Sequence, residues 1–342
     1  MAATYIKSSI WQEKAELFNF CNKFITASPY CYEKHCKTIS LKQKNNQSND
    51  LIRFMNPIKI FLLFISFITA LASSAQKIIP PITNNAEWSR DYPPFRMAGN
   101  LYYVGTYDLG CFLVTTPKGH ILINTGLAES APMIQKHVES LGFKFKDIRI
   151  LLTMQAHFDH VAAMAKIKKL TGATFMVDAA DAAVMADGGN SDYAFGGKGS
   201  MFVPVKADRL LHDGDTISLD GTTLTVLHHP GHTKGSCSYL LDVKDEHRSY
   251  RVLLANMPSV VADIKEVEKT SYPQIEKDYN YTFSAMKKVQ FDLWMPAHAS
   301  QFDLHKKRKP GDKYNPGLFA DKKAYDLLLS ELETTYHKKL NQ

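Results

Sequence analysis

The sequence predicts an α/β protein, a four-layer αββα sandwich in which two mixed β-sheets pack face to face and helices cover them outside. Two observations predict it. Short β-branched and aromatic runs cluster in each half of the chain, and helical patterns fall between them instead of gathering at one end. No low-complexity linker interrupts the stretch from about Gln76 to Gln342, so one domain is expected there.

The elements follow in order. Leu101 to Val104, Cys111 to Thr116 and His120 to Asn124 form an opening β-meander, with the turn Pro117-Lys118-Gly119 between the last two. Ser130 with Pro132 starts a helix whose Ile134, Val138 and Leu141 recur at helical spacing, and Gly142 ends it. Ile148 to Thr153 is a short apolar strand. Beyond it, a helix from Val161 places Met164, Ile167 and Leu170 on one face and stops at Gly172. The second half repeats the theme with strands at Thr222 to Leu227, Cys237 to Leu241 and Arg251 to Ala255. A helix after Ser271-Tyr272-Pro273, a strand near Phe291 to Met295, and a long helix with Tyr325, Leu328, Leu332 and Tyr336 on one face complete the chain.

Composition is that of an ordinary globular protein, with 45% hydrophobic and 22% charged residues in 342. The formal net charge of +7 belongs mostly to the first 75 residues, which hold nine Lys or Arg against four acids. The near-neutral remainder carries no nucleic-acid footprint. Lys59, the apolar run Ile60 to Ala72 and Ser73-Ser74-Ala75 read as a secretory signal peptide over 55–75, cleaved after Ala75. That run is shorter than the ~20 residues a membrane-spanning helix needs. Residues 1–54 then read as an upstream extension from a start assigned too early, with Met55 the true start. Export, to the periplasm or the medium, is the expectation, with no membrane association after cleavage. Of the five cysteines only Cys111 and Cys237 lie beyond this region, each in an apolar, strand-like run, which suits two buried free thiols better than a bridge.

The chemistry concentrates in Met154-Gln155-Ala156-His157-Phe158-Asp159-His160, between a strand and a helix. A strand end holds the backbone while a tight loop splays side chains, so two imidazoles and a carboxylate converge on a small volume. Hydrolytic zinc needs such a set, with few protein ligands and a position left open for water. Further ligands should come from other strand ends. His232, in Pro230-Gly231-His232-Thr233-Lys234-Gly235, and His298, in Met295-Pro296-Ala297-His298-Ala299-Ser300, both fit loop tips beside strands. His228 and His229 face opposite ways in a strand and read as structural residues or as supports behind the ligands. His120, His137, His212, His247, His305 and His337 read as ordinary core or surface histidines.

His157-Phe158-Asp159-His160, Gly231-His232-Thr233 and the late His298 resemble, in order, the zinc-ligand motifs of the metallo-β-lactamase superfamily. The resemblance sharpens to subclass B3, helped by Pro204-Val205-Lys206-Ala207-Asp208, Asp213-Gly214-Asp215 and Gly119-His120-Ile121-Leu122-Ile123. It implies the metallo-β-lactamase fold and up to two Zn2+ per chain. One zinc would be held by Gln155, His157 and His232, the other by Asp159, His160 and His298. Gln155 stands where most subclass members carry a histidine, and the GOB-type branch is similar to this chain there. In Asn256-Met257-Pro258-Ser259, Ser259 matches a serine that helps hold the substrate carboxylate, whereas Met257 offers only apolar contact.

Asn256 replaces the bridging aspartate of glyoxalase II-like and lactonase-like relatives, and the loop lacks the cysteine ligand of subclass B1. The implied activity is zinc-dependent hydrolysis of a small-molecule β-lactam, with Asp159 as catalytic residue as well as ligand. A serine-enzyme reading of Ser236 fails, because the residue three places on is Tyr239 and not lysine. Two rivals stay open: a hydrolase of the same fold acting on a lactone, thioester or phosphoester, and a non-enzymatic zinc-binding protein in which Gln155 marks a decayed site.

Overall fold

The computed structural model describes residues 77–341. The chain divides into two units, Met1–Ser74 and Ala75–Gln342, and the described residues belong to the second. The proposed upstream extension and signal peptide lie outside them.

Seven strands form the first sheet: β1 (Phe95–Ala98), β2 (Leu101–Tyr103), β3 (Phe112–Thr116), β4 (Gly119–Ile123), β5 (Ile148–Leu152), β6 (Thr174–Asp178) and β7 (Arg209–Leu211), paired in sequence order. β1 to β4 run antiparallel and β4 to β7 parallel. The second sheet has the order β12-β11-β10-β9-β8, from β8 (Thr216–Leu219), β9 (Thr222–His228), β10 (Cys237–Lys244), β11 (Ser249–Ala255) and β12 (Leu293–Pro296). Only its β11–β12 pair is parallel.

Alternation along the strands explains the layers. Phe112, Val114, Ile121, Ile123, Ile150 and Leu152 enter the same core as Leu224, Val226, Tyr239, Leu241, Val252 and Leu254 of the second sheet. The intervening Leu113, Leu122 and Leu151 face a separate core with Ile134 and Val138 of α1 (Ser130–Ser140). Helices therefore cover the outer face of the first sheet, as the pattern predicted. α2 (Phe158–Val161) and α3 (Met164–Thr171) replace the single helix expected after the ligand loop. Met164 and Ile167 are buried and Gly172 caps α3 in the left-handed conformation, but Leu170 is 46% exposed. A repeat of three drifts by about 60° per step on a 3.6-residue helix, so the second step carries Leu170 off the buried face.

The other helices are α4 (Ala182–Ala186), α5 (Ile264–Thr270), α6 (Ile275–Met286), α7 (Leu304–Lys307) and α8 (Lys322–Leu340). α8 buries Tyr325, Leu329 and Tyr336, with Leu328 and Leu332 half-buried beside them. Cys111 and Cys237 are buried free thiols, in agreement with the sequence reading. No described helix is long and apolar enough to cross a membrane.

Candidate metal centre

The C-terminal ends of β5, β9, β11 and β12 deliver the candidate residues. The loop after β5 is bolted at its root. Asn124, at φ 62° just past β4, accepts from the Met154 amide at 3.0 Å, while the Met154 carbonyl accepts from the Cys237 amide at 2.9 Å and from Asn256 Nδ2 at 3.0 Å. At the far end, the Thr125 amide donates to the His160 carbonyl at 2.7 Å. The six residues between these anchors, Gln155 to His160, hold four candidate ligands.

The loop from His229 to Ser236 is equally fixed. The His229 amide donates to the Ser236 carbonyl at 2.8 Å, and Tyr193 Oη donates to the carbonyls of Gly231 and His232 at 3.0 and 3.1 Å. Gly231 lies against the Tyr279 ring at φ 131°, where an added Cβ would come within 2.9 Å of the ring.

These anchors bring the candidates together in two groups. In the first, His157 Nδ1 and His232 Nε2 face each other at 3.1 Å. His232 Nδ1 is hydrogen-bonded to the Ser259 carbonyl at 2.8 Å, which assigns its proton to Nδ1 and leaves Nε2 a lone pair. Burial, then the facing His157, push the His232 pKa down to about 3, so the ring is neutral at neutral pH. His157 is pushed the other way: burial disfavours its charge, but Asp192, whose Oδ2 lies 3.3 Å from Nε2, and further carboxylates outweigh it and raise the pKa. Gln155 is 2% exposed, and its Oε1 accepts no hydrogen bond from any described residue.

In the second group, Asp159, His160 and His298 bring one donor atom each to within 4.8 Å of one another, a cluster able to hold a metal ion. His160 Nε2 and His298 Nε2 are 3.2 Å apart, and Asp159 Oδ2 lies 3.2 and 3.5 Å from them. Burial would raise the Asp159 carboxyl, but the surrounding imidazoles, His160 first, hold it well below the usual carboxylate range. His298 Nδ1 is hydrogen-bonded to Asp108 Oδ2 at 3.0 Å, which also accepts from Trp88 Nε1 at 3.1 Å.

A zinc-binding set fits these residues on the chemistry of the donors. Paired imidazole nitrogens face each other, a buried amide oxygen lacks a donor, and each outer imidazole nitrogen of His157, His232 and His298 meets a carboxylate or carbonyl. Closely facing imidazole nitrogens and an unsatisfied buried oxygen, worth about 1–3 kcal/mol if left unmade, are what a cation resolves.

The remaining residues divide. Ser259 is half-buried beside the first group, its hydroxyl 3.1 Å from His232 Nδ1. Met257, two residues past β11, is 2% exposed and packs in the main core. His228 pairs with Asp178 at 2.8 Å and His229 with Ser238 at 2.9 Å, both supports as expected. Sequence reasoning missed Asp108, Asp181, Asp192, Trp88 and Phe195, whose ring meets His157 edge-on at 4.9 Å. Each stands far from its partner in the chain, and nothing local marks it.

Residues 111–245 match the Metallo-beta-lactamase superfamily. The structure is similar to the class B3 di-zinc metallo-β-lactamase LRA-12 from an Alaskan soil metagenome, with 60% identity, a TM-score of 0.76, and 77% of this chain and all of that one covered. This chain belongs to the metallo-β-lactamase superfamily, on its class B3 branch. The metallo-β-lactamase GOB-18 from Elizabethkingia meningoseptica is 56% identical, with a TM-score of 0.77 over 78% of this chain and 99% of that one. Among curated proteins, a probable metallo-hydrolase from Burkholderia pseudomallei is 32% identical over 115 residues. That match covers 33% of this chain and about a third, 36%, of the relative. The two sheets with outer helices are the family's sandwich, and the candidate ligands sit in loops at strand ends.

Proposed function

We propose that this superfamily member is an exported zinc-dependent β-lactamase, hydrolysing the β-lactam amide of penicillins, cephalosporins and carbapenems and so conferring resistance to them. The convergence of five donor side chains, His157 with His232 and Asp159 with His160 and His298, carries the reading, and identity of 56–60% to B3 enzymes over their full length supports it. Gln155, His157 and His232 would hold one zinc, and Asp159, His160 and His298 the other. Bound zinc supplies Lewis acidity toward a carbonyl oxygen and makes water acidic enough to be a nucleophile near neutral pH.

The chain's own residues supply the rest. Asp159, held ionised by the imidazoles around it, can accept a hydrogen bond from the attacking water at Oδ2 and fix its direction. His232 and His298 keep their Nε2 lone pairs aimed inward because Ser259 and Asp108 hold the opposite nitrogens. Phe195, 39% exposed over His157, offers an apolar wall beside the first group, and we assign Ser259 to the substrate carboxylate. The Lys59, Ile60 to Ala72 and Ser73-Ser74-Ala75 pattern supports export and processing.

A spectrophotometric assay of zinc-loaded protein beginning at Gln76, against one penicillin and one carbapenem, tests this. Turnover should survive clavulanate, vanish with a strong chelator and return with zinc, because no acyl-enzyme forms. Full activity after verified metal removal, or cleavage of thioesters and lactones with penicillins untouched, would overturn it.

A further inference from the structure

Behind the first group lies a carboxylate that the mechanism above does not use. Asp181 is fully buried, and no described Lys, Arg or His lies within ion-pair distance of it. It occupies the N-cap position of α4, yet its side chain makes no capping hydrogen bond. Both oxygens are turned instead to the two ligand-bearing loops. Oδ2 accepts from the Ala156 amide at 2.9 Å and from Thr233 Oγ1 at 2.7 Å, and Oδ1 accepts from the Gly235 amide at 2.8 Å. Ala156 stands between Gln155 and His157, and Thr233 follows His232. One carboxylate thus joins the backbones that carry all three residues of the first group. The contact is close: a Cβ at Gly235 would lie 2.6 to 2.7 Å from Asp181, so glycine is needed there for the loop to reach it.

The second group is anchored elsewhere. The His160 carbonyl is held by Thr125, and His298 by Asp108 and by the Ala299 amide donating to the Asp108 carbonyl at 2.7 Å. The groups also differ in charge, since Gln155, His157 and His232 include no anion whereas Asp159 belongs to the second.

We propose that Asp181 is a positioning residue of the first group: its buried carboxylate pins the Gln155–His157 loop to the His232 loop and, with Asp192, places a carboxylate behind this neutral ligand set, so that it sets metal affinity there and not at the second group. The inference rests on the reading that Gln155, His157 and His232 hold zinc. Outer partners of metal ligands typically govern about 10- to 100-fold in affinity.

The test measures zinc alone, by competition with a chromophoric chelator, with circular dichroism as a check on folding. Two backgrounds separate the groups: His298→Ala, which leaves the first intact, and His157→Ala, which leaves the second. Asp181→Asn should weaken zinc about 10- to 100-fold in the first background and by less than about threefold in the second. Thr233→Val, which keeps the charge and deletes one of the three hydrogen bonds, should give a smaller loss with the same selectivity, and it decides the matter if Asp181→Asn does not fold. An unchanged affinity in the first background, or equal losses in both, would overturn the role of Asp181. If His298→Ala with Asp181 intact binds no zinc, the reading beneath the inference falls, and the inference with it.

Discussion

The two ligand groups are neighbours built on different principles. The second is compact and anionic: Asp159 lies between His160 and His298, and Asp108 backs His298. The first is neutral in its inner residues and takes its charge from behind, with Asp192 on His157 and Asp181 beneath both loops. An inner carboxylate contributes charge at the ligand itself, whereas an outer one acts through an imidazole or a loop and costs less when lost. The difference teaches where a site of this kind tolerates substitution, because the neutral group depends on residues that never meet the metal.

The largest effect should come from the inner carboxylate. Asp159→Ala removes a ligand and the group that orients water, and turnover should fall by more than about 100-fold, further than for any outer carboxylate. A kcat within threefold of the parent would break the comparison at its anionic end. Asp192→Asn probes the other end. It keeps the shape but loses the charge behind His157 Nε2, and zinc affinity of the first group should drop about 10-fold or more while the second is unmoved. Chelator competition in the His298→Ala background reads this directly, and an affinity equal to the parent's would show that Asp192 only shapes its loop.

A smaller effect concerns the support under the first group. His229 closes the base of the His232 loop, and burial pushes its pKa down to about 4 from an ordinary value of 6.5. The unfolded chain therefore binds a proton there that the folded one refuses. The stability from a neutral His229 is complete above about pH 6.5 and is lost as pH falls toward 4. The shift corresponds to about 3 kcal/mol at most. His229→Asn, whose Oδ1 can still accept from Ser238, should flatten the difference in urea midpoint between pH 7 and pH 4.5 relative to the parent. Parallel curves for the two proteins would remove His229 from the account.

Much of the fold was legible because periodicity and punctuation agree: the meander from Leu101, α1 between Ser130 and Gly142, and the long α8 all appear where the pattern put them. The short β1, β6, β7 and β8 escaped, being three to five residues long and held by neighbours more than by their own pattern. Gln155 to His160 was legible because its ligand-type residues are adjacent in the chain. His232 and His298 were legible through the glycines or strand ends beside them. Asp108 acts on a residue 190 positions away and Asp181 on one 25 away, so their chemistry exists only after folding.

The most direct test of unequal groups is a competitive zinc titration of the apo protein and of Gln155→His, with two binding steps resolved. A neutral amide oxygen is a weaker ligand for borderline-soft zinc than an imidazole nitrogen. The parent should therefore bind its first equivalent at Asp159, His160 and His298 and its second more weakly. Gln155→His should tighten the weaker step alone, without necessarily raising kcat. Equal affinity of the weaker step in the two proteins would mean that Gln155 is a bystander in the loop, and the account of a neutral first group would fail.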